Sequence, residues 1–420
     1  MRLKIHNIGP VNAIDILLNR VNVFIGPQSI GKSTIAKIIT YCMWVEKDAI
    51  RNQSVEQVDN SYIQDHLFEY HKLESYLSED SSFMFEGDFL KLSYNFKEGI
   101  TVEKKKDFSN MEIGKVAYVP AERNFINLPN IETLKLPSNY IREYIFDWLN
   151  IHKKYSRQSP VLLPKLNIKY YFDDNKGDTL LLPNNKEITL DVASSGLQSV
   201  VPLYVYVKYI TEWIYKHQED ISYEANQRAL NAIIDSILPK NISVKADDSI
   251  RSGYYELVRN TLAHSNNKNL RSYLRKVVDN ITKPHYTSLV IEEPELNLFP
   301  NTQVDILYDI FNMINVDRDR IFLTTHSPYI LYALNNVILA NRVKDNISEG
   351  EYNELSCKNI NIDPKLISVW SVDNGKIIGR DGVGNTTIQD ENGMIRKNFF
   401  DDSMRHIMND FNEMAMYLEE

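Results

Sequence analysis

One eight-residue segment near the N-terminus constrains the fold of this chain more than any other feature. Residues 26–33 read Gly-Pro-Gln-Ser-Ile-Gly-Lys-Ser and satisfy the pattern G-x-x-x-x-G-K-[ST]. An alternating apolar segment ends just before them at Ile25, and a helix is predicted from Ser33 to about Val45. A loop in this position offers backbone N–H groups and the positive end of a helix to a phosphate. The residues expected to contact phosphate are Gly26, Pro27, Gln28, Ser29, Ile30, Gly31, Lys32, Ser33 and Thr34.

Two side chains of this loop are expected to act beyond its backbone. Lys32 would place a positive charge on the β- and γ-phosphate oxygens, and the Ser33 hydroxyl would ligate Mg²⁺. The alternative is a glycine turn before an ordinary helix. The strand before the loop and the helix after it disfavour that alternative.

Two adjacent glutamates follow an apolar segment in the C-terminal half. The segment Leu289–Ile291 predicts a buried strand, and Glu292 and Glu293 come directly after it. Successive strand residues point to opposite sides, so the two carboxylates cannot share one role. We expect Glu292 to hold Mg²⁺ and Glu293 to orient an attacking water. The alternative is an acidic loop after a core strand.

Two further polar segments follow the same logic. His326 comes after the predicted strand Ile321–Thr325 and could reach a γ-phosphate, although an isolated histidine is more often structural. The segment Ser194–Gln198 opens a predicted helix, and its free N–H groups suit an anion. Ordinary helix capping by serine is the alternative there.

Composition restricts the class of protein. The net charge of −9 argues against a chain that coats nucleic acid non-specifically, although 47 Lys and Arg residues leave room for a local basic groove. The two cysteines, Cys42 and Cys357, show no zinc-site spacing and form no disulfide framework, which favours a reducing compartment. No signal peptide and no apolar run of about 18 residues is evident, so we expect a cytoplasmic protein that does not enter a membrane.

The order of predicted elements suggests a core interrupted by an insertion. Strands dominate the start, helices the middle, and a strand–helix–strand pattern the end, where a short strand is predicted at Val337–Leu339 and a hairpin turn at Asn374-Gly375. We divide the chain into an N-terminal part of the core (1–125), a helical lid (126–285), a C-terminal part of the core (286–345), and a tail of hairpins and a helix (346–420).

Taken in order, these segments resemble ABC-type ATPases, and among them the OLD-like and RecF-like branch (AAA_15/AAA_21) rather than the transporters. The resemblance rests on Lys4–Pro10, Ile25–Gln28, Tyr118–Arg123, Ala193–Ser199 and Glu292–Leu296. It implies an α/β fold, namely a phosphate-loop NTPase of the ABC type with a mixed sheet core and an inserted helical lid.

The resemblance also implies roles for individual residues. Ser195 and Gly196, with Gln198, match the signature motif, which contacts the γ-phosphate held by a partner subunit. Such a protein binds ATP and Mg²⁺ and forms a homodimer or a higher homo-oligomer with composite ATP sites. His326 matches the switch histidine. Arg123 lies where the family has its Q-loop, but no clear Gln is present there, and Glu292 replaces the usual Asp.

The resemblance leaves three functions open. The first is a nucleotide-dependent dimeric sensor or scaffold, in anti-phage defence beside a separately encoded nuclease or toxin. The second is a RecF-like repair ATPase that binds DNA. The third is an ATP-gated ribonuclease, because Arg259 and His264 match the R-x4-H pattern of HEPN ribonucleases, although a helix end with a capping histidine explains them equally. The OLD nucleases add a Toprim domain, which is not expected here because the acidic pair of Asp317–Asp319 precedes a core strand.

Overall fold

The computed structural model describes residues 1–108, 111–128, 131–217, 268–396 and 398–417, with single positions between 218 and 267. Its described strands form a large sheet and a small one. In chain order they are β1 (Arg2–Ile8), β2 (Val11–Leu17), β3 (Val21–Ile25), β4 (Ser82–Glu86), β5 (Leu90–Asn95), β6 (Gly99–Lys104), β7 (Gly114–Val119), β8 (Val161–Leu163), β9 (Ile168–Asp173), β10 (Gly177–Leu181), β11 (Glu187–Thr189), β12 (Tyr286–Glu292), β13 (Arg320–Thr325), β14 (Ile367–Asp373) and β15 (Lys376–Ile378).

The large sheet is mixed. Its eleven described strands run in the order β6-β5-β4-β1-β2-β15-β14-β3-β13-β12-β7. From β14 to β7 every neighbouring pair is parallel, so the carboxyl ends of these strands meet at one edge. Every residue of β3 is buried, as expected for a parallel strand covered on both faces. The predicted α/β class with a mixed sheet core is therefore confirmed.

The other half of the sheet is an antiparallel meander. The strand β1 pairs with β2 on one side and with β4 on the other, and β5 and β6 continue the order. Along β1 the buried Leu3 and Ile5 alternate with more exposed polar residues. The sequence predicted alternation of this kind for the segment that ends at Ile25.

Helices cover the parallel half and extend beyond it. In chain order they are α1 (Lys32–Asn52), α2 (Asn60–Ile63), α3 (Tyr140–Ile151), α4 (Ser195–Lys208), α5 (Ile214–Lys216), α6 (Lys268–Thr282), α7 (Pro300–Met313), α8 (Pro328–Val343), α9 (Glu349–Glu354) and α10 (Phe399–Ala415). A π-helical turn, Gln64–Glu69, follows α2, and another, Tyr209–Trp213, follows α4. The helix α1 packs against β7, β12 and β13, with Ile35, Ile38 and Ile39 fully buried.

Two features differ from the sequence prediction. Residues 337–339 are helical within α8, not a strand, because Val337 and Ile338 continue the helical spacing of the buried Ile330 and Leu334, whereas Leu339 is exposed. The second difference concerns the tail: β14 pairs in parallel with β3, and β15 pairs with β2. The segment 346–420 therefore contributes two strands to the middle of the core sheet.

The insertion between the two halves of the core is described in part. Its described residues contain α3, α4 and the small sheet, whose strands lie in the order β11-β10-β9-β8. The sequence predicted a helical lid over 126–285, and residues 218–267 of it lie largely outside the described part. No helix among the described residues is long and apolar enough to cross a membrane.

Candidate active site

The phosphate loop is built from backbone that only glycine adopts easily. Gly26 and Gly31 have φ of 143° and 104°, and Ser29 between them has φ of 60°. A Cβ on Gly31 would lie 2.5 Å from Val11 Cγ2, so the loop also needs glycine for space. Gln28 and Ser29 are exposed at the middle of the loop, which leaves their N–H groups open to a ligand.

Lys32 begins α1 and bends back under the loop. Its Nζ donates to the carbonyls of Gly26 (2.8 Å) and Pro27 (2.6 Å). Burial lowers its pKa to about 8, against the opposing pull of Glu293 and the neighbouring glutamates. The Lys32 ammonium can therefore bind a phosphate, because phosphate oxygens can replace the two carbonyl acceptors. Ser33 follows it as an exposed residue, whereas Thr34 is buried against the core.

His326 lies between a cation and an anion. Its Nδ1 is 3.3 Å from Lys32 Nζ, and its Nε2 is 3.4 Å from Glu293 Oε1. The contact with His326 lowers the pKa of Glu293, in spite of partial burial. The carboxylate that was predicted to orient water is therefore held ionised. The parallel register of β3, β13 and β12 brings these three residues together from distant parts of the sequence.

The backbone of Glu293 is strained. Its φ is 45°, a region that non-glycine residues rarely adopt and that is found more often at functional sites. The main-chain N–H of Glu293 donates to Thr324 O at 2.9 Å, which ties the turn to the neighbouring strand. The strain directs the chain so that successive glutamates leave the end of β12 on different sides.

Glu292 is the buried member of the pair. Its side chain is almost inaccessible, burial raises its pKa, and its Oε1 has no hydrogen-bond partner among the described residues. Ser33 and Lys37 lie close enough to favour its charged form. A buried carboxylate oxygen without a partner beside a hydroxyl fits Mg²⁺, which takes one or two protein oxygens and completes its shell with phosphate and water. The residues predicted to hold the metal therefore fit it.

Glu295 is a site residue to which the sequence assigned no role. Its Oε1 accepts from the Thr325 hydroxyl at 2.7 Å and from the His326 N–H at 2.6 Å. Burial raises its pKa. These bonds fix the end of β13 and so the position of the histidine. The run Glu292–Leu296 contained the signal, because a third carboxylate after a proline can fold back over the neighbouring strand.

Arg123 lies beneath the site. It is fully buried, and its guanidinium donates to the main-chain carbonyls of Glu292 (3.0 Å), Glu293 (2.8 Å) and Ser199 (3.3 Å). All of its nitrogens are thus committed to backbone. This geometry favours a role in positioning the glutamate turn and α4 over the direct nucleotide contact that was predicted.

The serine segment opens α4 on the surface. Ser194 caps the helix, Ser195 is exposed, and no acidic residue occupies the first turn. Gly196 packs near the turn after the glutamates, since a Cβ on it would lie 3.1 Å from Asn297 O. The Gln198 side chain donates to Asp191 O at 2.7 Å and so holds the loop before the helix. The exposed helix start remains open to an anion from outside the chain.

The third set of predicted residues cannot be placed. Arg259 and His264 lie outside the described residues. Within the described part of the chain, no cluster of three or more His, Cys, Asp or Glu side chains could hold a metal ion.

Comparisons with known proteins agree with this geometry. The family AAA_15, described as AAA ATPase domain, matches residues 273–331, which include both glutamates and the histidine. No curated protein gives a match.

Comparison with solved structures gives matches of low identity and low TM-score. The SMC head domain from Thermotoga maritima has 10% identity over 79% of this chain and 90% of that chain, with a TM-score of 0.35. The SmcHead bound to the C-winged helix domain of ScpA has 8% identity, the same coverage and a TM-score of 0.35. The recombination mediator protein RecF–ATPrS of the RecFOR pathway has 12% identity over 90% of this chain and 96% of that chain, with a TM-score of 0.28.

The family match falls on the strands β12 and β13 and on the turns that follow them. Those turns carry the residues that the phosphate loop brings together, so the match and the geometry concern the same atoms. AAA_15 is one of the families that the sequence motifs resemble, and its match lies at these turns.

Proposed function

We propose that this chain binds and hydrolyses ATP, with Mg²⁺ as cofactor, at the site formed by the phosphate loop and the two glutamates. The observation that carries the proposal is the continuous line of contacts from Lys32 through His326 to Glu293. A cation for the phosphates, a group that can sense the γ-phosphate and an ionised base lie in one row. Phosphate-loop ATPases use such groups to position a water and to stabilise the charge that develops on the terminal phosphate.

The base is expected to act through water. Glu293 is held ionised by His326, and its side chain is about one-third exposed, so a water can reach it. It would accept a hydrogen bond from that water and orient it toward the γ-phosphate. Mg²⁺ held by Ser33 and Glu292 would neutralise charge on the phosphate oxygens.

The histidine is expected to report the state of the nucleotide. The tautomer with the proton on Nε2 donates toward Glu293 and leaves Nδ1 to accept from Lys32. When a triphosphate takes the Lys32 ammonium, that acceptor loses its partner. His326 is then free to move its ring toward the γ-phosphate, and Glu295 keeps its backbone in place through the bond to its N–H.

We further propose that two copies complete each site. Ser195 is exposed and Gly196 is partly exposed at the start of α4, and the hydrogen bonds of this helix start do not involve Lys32, Glu293 or His326. A helix start without acidic residues in its first turn attracts an anion. The signature-motif resemblance supports placing Ser195 and Gly196 of one subunit against the γ-phosphate bound by the other.

For the biological role, we propose a nucleotide-dependent sensor or scaffold for a separately encoded effector in anti-phage defence. This part rests on the resemblance to the OLD-like branch alone. Purification of the chain together with the product of an adjacent gene, retained with ATP and lost in nucleotide-free buffer, would support it. A chain that purifies alone in both buffers would contradict it.

Steady-state ATP hydrolysis tests the chemical proposal. Glu293→Gln should bind ATP with near wild-type affinity but turn over at least about 100-fold more slowly, because it loses the charge that polarises water. Glu79→Gln is the matched control, since it makes the same change at an exposed surface residue that pairs with Lys97. Hydrolysis by Glu293→Gln at the rate of the control would remove Glu293 from this role.

A further inference from the structure

A second cavity, of about 430 Å³, lies where α1, α3, β7 and the π-helical turn 64–69 meet. Its volume is typical of pockets that take small molecules. None of Lys32, Glu293 and His326 lines it. The cavity is therefore separate from the proposed catalytic row, although α1 runs from one to the other.

Buried polar atoms without partners converge on this cavity. Among the described residues, eleven buried side-chain polar atoms have no hydrogen-bond partner. Four of them belong to residues that line this cavity, namely the hydroxyls of Tyr41, Tyr118 and Tyr144 and Nδ1 of His71. The Tyr118 hydroxyl lies near Glu292 and interacts with it, which leaves the other three for an occupant of the cavity. All four residues are at least nine-tenths buried. A buried polar atom without a partner costs about 1–3 kcal/mol, so three at one place indicate that a polar occupant supplies the missing bonds.

The cavity also contains a lysine that forms no ion pair. Lys47 has no carboxylate within 4 Å among the described residues, although Asp147 and Asp48 lie near enough to favour its charged form, and burial lowers its pKa to about 7. Its neighbour Lys115 differs, because it pairs with Asp147 at 3.1 Å, and that carboxylate also accepts from the Tyr206 hydroxyl at 2.6 Å. An anion beside Lys47 would stabilise the charged form of its side chain, which burial disfavours.

Aromatic rings provide the rest of the lining. Trp44 stacks on His66 with ring centroids 4.8 Å apart, and His71 stacks on Tyr140 at 5.8 Å. The Tyr118 ring meets Tyr140 edge-on at 5.4 Å. Rings held in these orientations present flat faces and edges to the cavity, which suits a planar group.

We propose that this cavity binds a small molecule with one oxyanion, a carboxylate or a phosphate ester, on a planar ring. The oxyanion pairs with Lys47. Oxygen atoms of the same molecule accept hydrogen bonds from the tyrosine hydroxyls, and the ring lies among the aromatic side chains. Asp65 and Glu143 line the cavity as exposed residues, so water solvates their charge.

Calorimetric titration of the Lys32→Ala protein tests the proposal, because that variant removes competing binding at the phosphate loop. The two probes are 4-hydroxybenzoate, a carboxylate, and uridine monophosphate, a phosphate ester. We expect one of them to bind with a Kd below about 1 mM, which also identifies the oxyanion. The absence of binding by both probes at about 10 mM would overturn the proposal.

Substitutions of cavity residues then show whether the probe binds in this cavity. Lys47→Met should weaken the binding probe at least about 10-fold, whereas Lys97→Met, at an exposed lysine paired with Glu79, should leave it unchanged. Tyr41→Phe removes only a hydroxyl and should weaken binding by about 5- to 10-fold, which keeps the test valid if Lys47→Met does not fold. Binding of equal strength in Tyr41→Phe, or in a folded Lys47→Met protein, would overturn the proposal.

Discussion

Arg123 donates a hydrogen bond of 2.8 Å to the main-chain carbonyl of Glu293, whose own backbone has a positive φ. A buried guanidinium thus holds in place the strained turn that carries the proposed base. The same side chain reaches Ser199 in α4, so the turn and the helix with the signature-like serines share one support. A displacement of the glutamate turn is therefore expected to displace α4 as well, and the reverse.

Removing this support should cost both stability and activity. Arg123→Met would remove the guanidinium hydrogen bonds to the carbonyls of Glu292, Glu293 and Ser199, at about 1 kcal/mol each, so we expect the free energy of unfolding to fall by about 3 kcal/mol. ATP turnover should fall more than ATP affinity, because the phosphate loop is untouched while the turn relaxes. Urea unfolding and steady-state kinetics measure both effects. Arg142→Met, on the face of α3 beside Phe146, is the control. Equal stability of the two variants would refute the supporting role of Arg123.

If the ATP sites are composite, a mixture of two variants that are each inactive should regain ATP hydrolysis. Lys32→Ala should abolish nucleotide binding in its own loop, and Ser195→Arg should block the surface that completes the partner's site. Each variant alone is expected to be inactive. A mixture contains dimers in which one loop is intact and faces an intact serine, so it should recover up to about one-quarter of wild-type turnover. A mixture as inactive as its components would show that the sites are not shared.

The glycine before Lys32 offers a matched pair of substitutions. Gly31 and Gly382 both have positive φ, but an added Cβ meets Val11 Cγ2 at 2.5 Å at the first and nothing within 4 Å at the second. Gly382→Ala should cost only the backbone strain, about 1–2 kcal/mol. Gly31→Ala should cost more and should also weaken ATP binding at least about 10-fold, because the loop must shift. Thermal unfolding and calorimetry with ATP compare them, and identical losses would contradict the steric argument.

Stability should depend on pH through a carboxyl far from the ATP site. Burial raises the pKa of Glu46 to about 7, although its Oε1 accepts from the N–H groups of Phe89 (2.8 Å) and Leu90 (3.0 Å). The folded state therefore binds more protons than the unfolded state between about pH 4.5 and 7. Its stability falls as pH rises through that window.

The variant Glu46→Gln isolates this effect. The glutamine side chain keeps an oxygen acceptor but cannot ionise. From pH 5 to pH 7.5 the variant should therefore become increasingly more stable than the wild type, as measured by the free energy of unfolding. The gain should reach about 1–3 kcal/mol. Urea unfolding at several pH values measures it. Parallel pH profiles for the two proteins would show that Glu46 does not ionise within the fold.

The chemical groups of the candidate site could be predicted from the sequence because each of them follows a recognisable local pattern. The strand before Gly26, the strand before Glu292 and the strand before His326 are all runs of apolar residues, and parallel pairing then brings their ends together. Nothing local shows that Lys32 contacts His326, since that contact depends on the order of strands in the sheet.

Other parts could not be read from local pattern. The side chain of Arg123 is buried, and its role follows only from the three carbonyls around it. The helix across Val337–Leu339 has a short apolar run that suits either a strand or a buried helix. The pairing of β14 with β3 joins residues more than three hundred positions apart, and no local signal encodes it.

This last pairing has a consequence for how the molecule is made. The strand with the phosphate loop lies between β13 and β14, and Gly26 packs so closely on Val372 that an added Cβ would meet its carbonyl at 2.2 Å. During translation, β3 leaves the ribosome early, but it cannot pair with β14 until residue 373 has been added. In a nascent chain that does not yet contain β14, the edge of β3 beside the phosphate loop has no paired strand. Chaperones are expected to bind such chains for longer than chains that already contain β14.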